Sequence, residues 1–165
     1  MSNNPIQRVF LDSQFLFAYI SEIPKDIEQL YAAEVKAILY NSNPHIQIII
    51  SFVAIGETVN SINKKLDQSH LNNAFMNLSA FLNEKRVDMK PPTLEIFKKT
   101  LDLIKSDNHL DYTDAMILSH ALCDDCSTHF LTGDSTLLES ESIQIACREY
   151  RKDNRFPNLK IRDSF

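Results

Sequence analysis

Apolar residues in this chain recur in two rhythms. Short runs dense in β-branched and aromatic side chains fall at 7–11, 46–52, 128–132 and 142–147, with a weaker one at 159–162, and these read as strands. The runs are near-continuous rather than alternating, as expected of strands covered on both faces. Elsewhere apolar residues return at steps of three and four: Ile27, Leu30, Tyr31 and Ile38 within 26–41, then Leu71, Phe75, Leu78 and Phe81/Leu82 within 71–82, then Leu94, Phe97, Leu101 and Ile104 within 93–105. Each series predicts a helix that turns that stripe to the core. Pro24 and Asp26 mark the start of the first of these helices. Asp111-Tyr112-Thr113-Asp114 reads as an N-cap with an acid at the third helical position, opening a helix over 111–123. Pro91-Pro92 divides the helical middle, because proline cannot continue an incoming helix.

Strand alternating with helix predicts a three-layer α/β/α domain around a mainly parallel sheet of four or five strands. A length of 165 residues with 44% hydrophobic content suits one domain spanning 1–165. Its unusual feature is a long helical excursion at about 57–122, between the second and third strands. Glycine occurs only at Gly56 and Gly133, so there is neither a P-loop nor a dinucleotide fingerprint. The N-terminus lacks the pattern of a secretory signal, and no apolar stretch reaches the roughly 20 residues that span a bilayer. The expectation is a soluble, cytoplasmic protein with no membrane partner.

Three cysteines make no disulfide framework. Cys123-Asp124-Asp125-Cys126 has the spacing of half a zinc site, but no second pair accompanies it, so the two read as half-buried thiols at a helix end and Cys147 as packing. His45, His70, His109, His120 and His129 share no short motif with a nucleophile and read as surface or satisfied core residues. The net charge of −5 argues against coating nucleic acid by electrostatics alone. It divides unevenly, −8 over 1–147 and +3 over 148–165, leaving a basic tail that is either a solvated end or a contact for an RNA backbone.

Four acids stand where such a fold would gather them. Asp12 closes the first strand, Glu57 lies in the first turns of the helix after the second, and Asp134 follows Phe130-Leu131-Thr132. Asp114 opens a helix that leads into a parallel strand; such a helix runs antiparallel to the strand, so its start lies over the strand's finish. In open parallel sheets ligands bind beyond the carboxyl ends of the strands. Each acid has a plainer reading: Asp114 and Asp134 as caps or turn residues, Glu57 as a surface helix acid. Asp12 is the hardest to read that way, because an acid closing an apolar strand is costly to bury alone. Two carboxylates about 4 Å apart repel by about 4 kcal/mol at an effective dielectric of 20, so a cluster needs protons or a cation. Oxygen ligands without His or Cys suit Mg²⁺ or Mn²⁺.

Val9-Phe10-Leu11-Asp12-Ser13, Ser51-Phe52-Val53-Ala54-Ile55-Gly56-Glu57, Leu110-Asp111-Tyr112-Thr113-Asp114-Ala115 and Phe130-Leu131-Thr132-Gly133-Asp134 together resemble, in order, the PIN-domain ribonucleases, which include the VapC-type toxins. The resemblance implies a PIN-like sheet flanked by helices and a pocket in which Asp12, Glu57, Asp114 and Asp134 are catalytic and hold one or two Mg²⁺ or Mn²⁺ ions. It implies hydrolysis of RNA by activated water, leaving 5′-phosphate and 3′-hydroxyl ends. Ser13 and Thr132 would orient a water or an acid, with Asp111 in support as the cap. The implied partners are an RNA substrate and a small antitoxin protein, with a homodimer left open. Gln14 departs from the small polar residue often found there in that family, and the helical middle is longer than in a compact toxin. A catalytically idle PIN-like scaffold that binds RNA or a protein is the alternative. A phosphotransfer domain fits less well, since Asp12-Ser13-Gln14 lacks the second Asp of the dehalogenase pattern and no adjacent acid pair suits a receiver.

Overall fold

The first three sheet strands, β1 (Gln7–Leu11), β2 (Ile46–Ser51) and β3 (Val87–Lys90), and the last two, β4 (Ser127–Leu131) and β5 (Lys160–Arg162), pair in the order β3-β2-β1-β4-β5, all parallel. This computed structural model describes residues 6–22 and 26–165, apart from the side chain of Asp26. The start signal at Pro24 and the polar N-terminus therefore lie outside the described residues. β1 continues to β2 and β3 on one side, whereas β4 and β5 lie on the other. Strand order thus reverses between β1 and β4, which places a crevice at their carboxyl ends.

The helices are α1 (Ser13–Ser21), α2 (Asp26–Leu39), α3 (Phe52–Lys65), α4 (Gln68–Leu82), α5 (Leu94–Ser106), α6 (Tyr112–Cys123), α7 (Ser135–Glu139) and α8 (Glu141–Asp153). Right-handed crossovers put α1–α4 on one face of the sheet and α5, α6 and α8 on the other. The packing agrees: α1 lies against α2, α3 and α4, and α5 lies against α6 and α8. Val9, Leu11, Ile48, Ile49, Ile50, Phe130 and Leu131 are fully buried between these layers, which explains their unbroken apolar runs.

Several expectations are corrected. Residues 142–147 are helix, not strand. Ser142-Ile143-Gln144-Ile145-Ala146-Cys147 alternates like a strand, but Ile143, Cys147 and Arg151 at steps of four are the buried positions, and Ile145 is exposed. Ser140 caps that helix by accepting from the Ile143 amide at 3.3 Å. The stretch at about 57–122, expected as a helical excursion divided at Pro91-Pro92, also contains β3, a four-residue edge strand with two charges whose half-exposed pattern gave no apolar signal. α1 also lacks a legible rhythm, because it is buried on nearly every side.

Two helices turn other faces inward than their stripes suggest. On α5, Ile96, Thr100 and Leu103 are buried while Leu94, Phe97 and Leu101 are exposed. Thr100 can occupy the core because its hydroxyl donates to the Ile96 carbonyl at 2.8 Å. On α2, Tyr31, Val35 and Ile38 are buried, but Ile27 and Leu30 are exposed.

The largest fully buried side chain is Arg151. Its guanidinium donates to the carbonyls of Pro157, Ala121, Leu122, Asp124 and Ser127 and to the Ser127 hydroxyl. It ties α8 to the turn between α6 and β4, so a residue read as part of a basic tail is a core clamp.

Candidate metal centre

Asp12 leaves the end of β1 and is 1% exposed. Its amide donates to the Leu131 carbonyl at 2.9 Å, which ties the strand end to β4 across the switch point. The side chain caps α1: Oδ1 accepts from the Ser13 amide at 2.6 Å and the Ser13 hydroxyl at 3.3 Å. Oδ2 accepts from the Thr132 hydroxyl at 2.6 Å. Thr132 Oγ1 in turn accepts from the Asp134 amide at 3.0 Å, so β4's terminal loop is wired to the β1 acid. These contacts offset the cost of burying the carboxyl group.

Glu57 is the sixth residue of α3, which starts directly after β2 with Ser51 as its cap. Asp114 is the third residue of α6, capped by Asp111 through the Thr113 amide at 2.8 Å. Three elements thus deliver three acids, and oxygens of Asp12, Glu57 and Asp114 lie within 4.8 Å of one another. Like charges at that separation repel by about 3 kcal/mol per pair at an effective dielectric of 20. Among the described residues no Lys, Arg or His ion pair reaches any of the three.

The carboxyl groups respond accordingly. Burial lifts Asp12 from 3.8 to about 6, against the opposing hydrogen bonds from Thr132 and Ser13 and with some help from Glu57. Asp114 is lifted from 3.8 to about 7, first by burial and then by the charges of Asp12, Asp134, Glu57 and Asp111. Such a set binds protons or a cation near neutral pH. Its donors are all hard oxygens and fit Mg²⁺ or Mn²⁺.

Asp134 stands apart from the three-member cluster. Its Oδ1 caps the short α7 by accepting from the Leu137 amide at 3.0 Å, while its charge is still felt by Asp114. Asp111 is exposed and serves as a cap. Ser13 and Thr132 both touch Asp12. In the sequence Tyr31 reads only as part of a core-facing stripe, and Gly133 only as a place in a motif. A Cβ on Gly133 would run into the Tyr31 phenol and the Gln14 amide oxygen, so a larger residue there would have to displace both side chains. Burial raises the Cys123 and Cys126 thiols, and among the described residues no Cys or His joins a metal-sharing group.

Fold and cluster together define an α/β domain with a group of carboxylates at the carboxyl ends of a parallel sheet. The chain belongs to the PIN domain family, whose model matches residues 9–142. Its fold is that of VapC proteins. VapBC2 from Rickettsia felis, solved bound to a DNA fragment from their promoter, superposes with a TM-score of 0.59 at 16% identity over 93% of this chain and 96% of that one. VapC20 of Mycobacterium tuberculosis, described as a sarcin-ricin loop cleaving toxin, gives 0.61 at 13% identity over 81% and 95%. DNA-bound VapBC from Salmonella typhimurium gives 0.52 at 14% over 94% and 96%. No curated protein matches the chain significantly by sequence. Among the described residues no helix is long and apolar enough to cross a membrane.

Proposed function

We propose that this protein is a divalent-metal-dependent endoribonuclease, acting in the cytoplasm as the toxin of a toxin–antitoxin pair. The observation that carries the reading is the meeting of Asp12, Glu57 and Asp114, from three separate elements, at the point where strand order reverses. Membership of the PIN family and the likeness to VapC folds support it. In this reading Asp12, Glu57 and Asp114 hold Mg²⁺ or Mn²⁺, and Asp134 stands at the rim to hold a second ion or a water. A divalent cation bound there supplies Lewis acidity toward a phosphate oxygen and an activated water at neutral pH. The chain's own part is to orient and desolvate. Thr132 and Ser13 fix the Asp12 carboxylate, and the apolar strands behind it keep bulk water from its inner side.

The test is cleavage of RNA by the purified chain with Mg²⁺ or Mn²⁺ and with EDTA. Metal-dependent internal cutting that Asp12→Asn abolishes is the expected result. A rate untouched by that substitution, or by chelation, would remove the nuclease assignment. The pairing would be tested separately, by co-purification with the product of a neighbouring small reading frame and relief of toxicity when both are expressed.

A further inference from the structure

Beside the metal centre, α1, α2 and α3 enclose a recess of about 360 Å³, within the range of ligand pockets. Its lining includes Ser13, which bonds Asp12, and Gly133, which lies between Thr132 and Asp134. The recess therefore lies beside the carboxylate cluster, one residue along the chain from Asp12 and from Asp134. On α3 the residues Glu57, Ser61 and Lys65 follow at steps of four and share one face, so the wall that begins at the metal site ends on a cation. Eight residues of helix separate Glu57 from Lys65, a rise of about 12 Å between their backbones.

Lys65 Nζ lies 4.9 Å from the centre of the Phe17 ring, and the described residues give it no carboxylate partner. Its ammonium group thus stands over the Phe17 ring at the recess, with Glu28 in the same lining but in no ion pair with it. Gln14, Glu28 and the buried Tyr31 line the same recess, and the Tyr31 phenol is pushed up by burial and then by the charges of Asp163 and Asp12. A polyanion approaching a chain of net charge −5 through a cluster of acids needs a fixed cation close by. A duplex has no unpaired base to enter such a recess, whereas single-stranded RNA can splay a nucleotide into it and offer base edges to side-chain amides.

We propose that this recess seats a nucleotide of single-stranded RNA adjacent to the scissile phosphate, its own phosphate held by Lys65 and its base against Gln14. The inference rests on the nuclease reading for its substrate class and deepens it by naming where the flanking strand lies.

The experiment measures binding of a fluorescent single-stranded RNA in the Asp12→Asn background, where hydrolysis does not interfere, over a range of salt concentrations. Adding Lys65→Ala is expected to weaken binding about fivefold and to reduce the slope of log K against log salt by about 0.7, the share of one single-strand phosphate. Lys65→Arg should keep both, and duplex RNA of the same sequence should be indifferent to Lys65→Ala. An unchanged Kd and slope in Lys65→Ala would overturn the proposal and leave the recess to a protein segment. RNA cutting by the wild-type chain with that null result would overturn the recess alone. Lys65-dependent binding without any cutting would overturn the hydrolytic reading and keep the recess.

Discussion

Replacing Asp12 by Asn should make the metal-free protein more stable at pH 8, although the residue is buried and makes three hydrogen bonds. Its carboxyl group titrates at about 6 in the fold against an ordinary 3.8. The folded form therefore keeps a proton that the unfolded chain releases, and stability falls as pH rises through that window. A shift of about 2 units corresponds to about 3 kcal/mol, fully present as a cost by pH 8. Asparagine carries no charge, so that cost vanishes. It also has one acceptor where the aspartate offers two. With its oxygen toward the Ser13 amide, its NH₂ faces the Thr132 hydroxyl, and the altered contact costs about 1 kcal/mol. The remainder is a gain of about 2 kcal/mol, or an increase of about 1 M in the urea midpoint at ordinary m-values. At pH 4 only about 0.5 kcal/mol of that cost remains, less than the altered contact, and the order should reverse. Saturating Mn²⁺ should also reverse it at pH 8, since metal at 100 times its Kd stabilises only the competent fold by about 2.7 kcal/mol. Urea unfolding in EDTA at pH 4 and 8 decides the matter. An Asp12→Asn protein less stable than wild type at pH 8 without metal would refute the claim that the cluster is electrostatically strained.

Further outcomes follow from the same structure. Arg151→Met should lower stability by about 3 kcal/mol or more in urea unfolding, because it strands several buried carbonyls, and Arg151→Lys should not restore it, since one ammonium cannot reach carbonyls on both sides of the guanidinium plane. Gly133→Ala should cost about 1–3 kcal/mol by overpacking against Tyr31, which is stacked on Phe15 at 4.3 Å, and should weaken Mn²⁺ binding as the loop before Asp134 shifts. Calorimetric titration of Mn²⁺ in two buffers should report proton release at pH 6.5, where Asp114 and part of Asp12 are protonated, and none at pH 9. Equal proton counts at the two pH values would contradict the raised carboxyl groups.

The sheet was legible wherever burial on both faces imposed an unbroken apolar run, as at Ile48-Ile49-Ile50, and illegible where burial was partial. β3 lies at an edge and needs no apolar run, while Ile143 and Ile145 imitate a strand only within a window too short to include the Ser140 cap. Stripe direction failed on α2 and α5 because side-chain type does not fix which face meets the core. Thr100 goes inside by bonding its own helix, and Leu94, 69% exposed, stays out. At the candidate site the nearness of Asp12, Glu57 and Asp114 was legible, since ends of elements can be read from apolar runs and caps. It could not tell that Asp134 directs an oxygen to its own helix, because a cap and a ligand look alike in sequence. The recess beside the cluster was hidden for another reason: Gln14, Tyr31 and Lys65 sit on three helices whose angles no local pattern encodes.

The most direct measurement is anomalous diffraction at the manganese edge from crystals grown with Mn²⁺. A peak within bonding distance of Asp12, Glu57 and Asp114 is expected, and it should disappear in Asp114→Asn crystals. Density showing these three carboxyl groups without a metal at saturating Mn²⁺, or turned away from one another toward solvent, would contradict it.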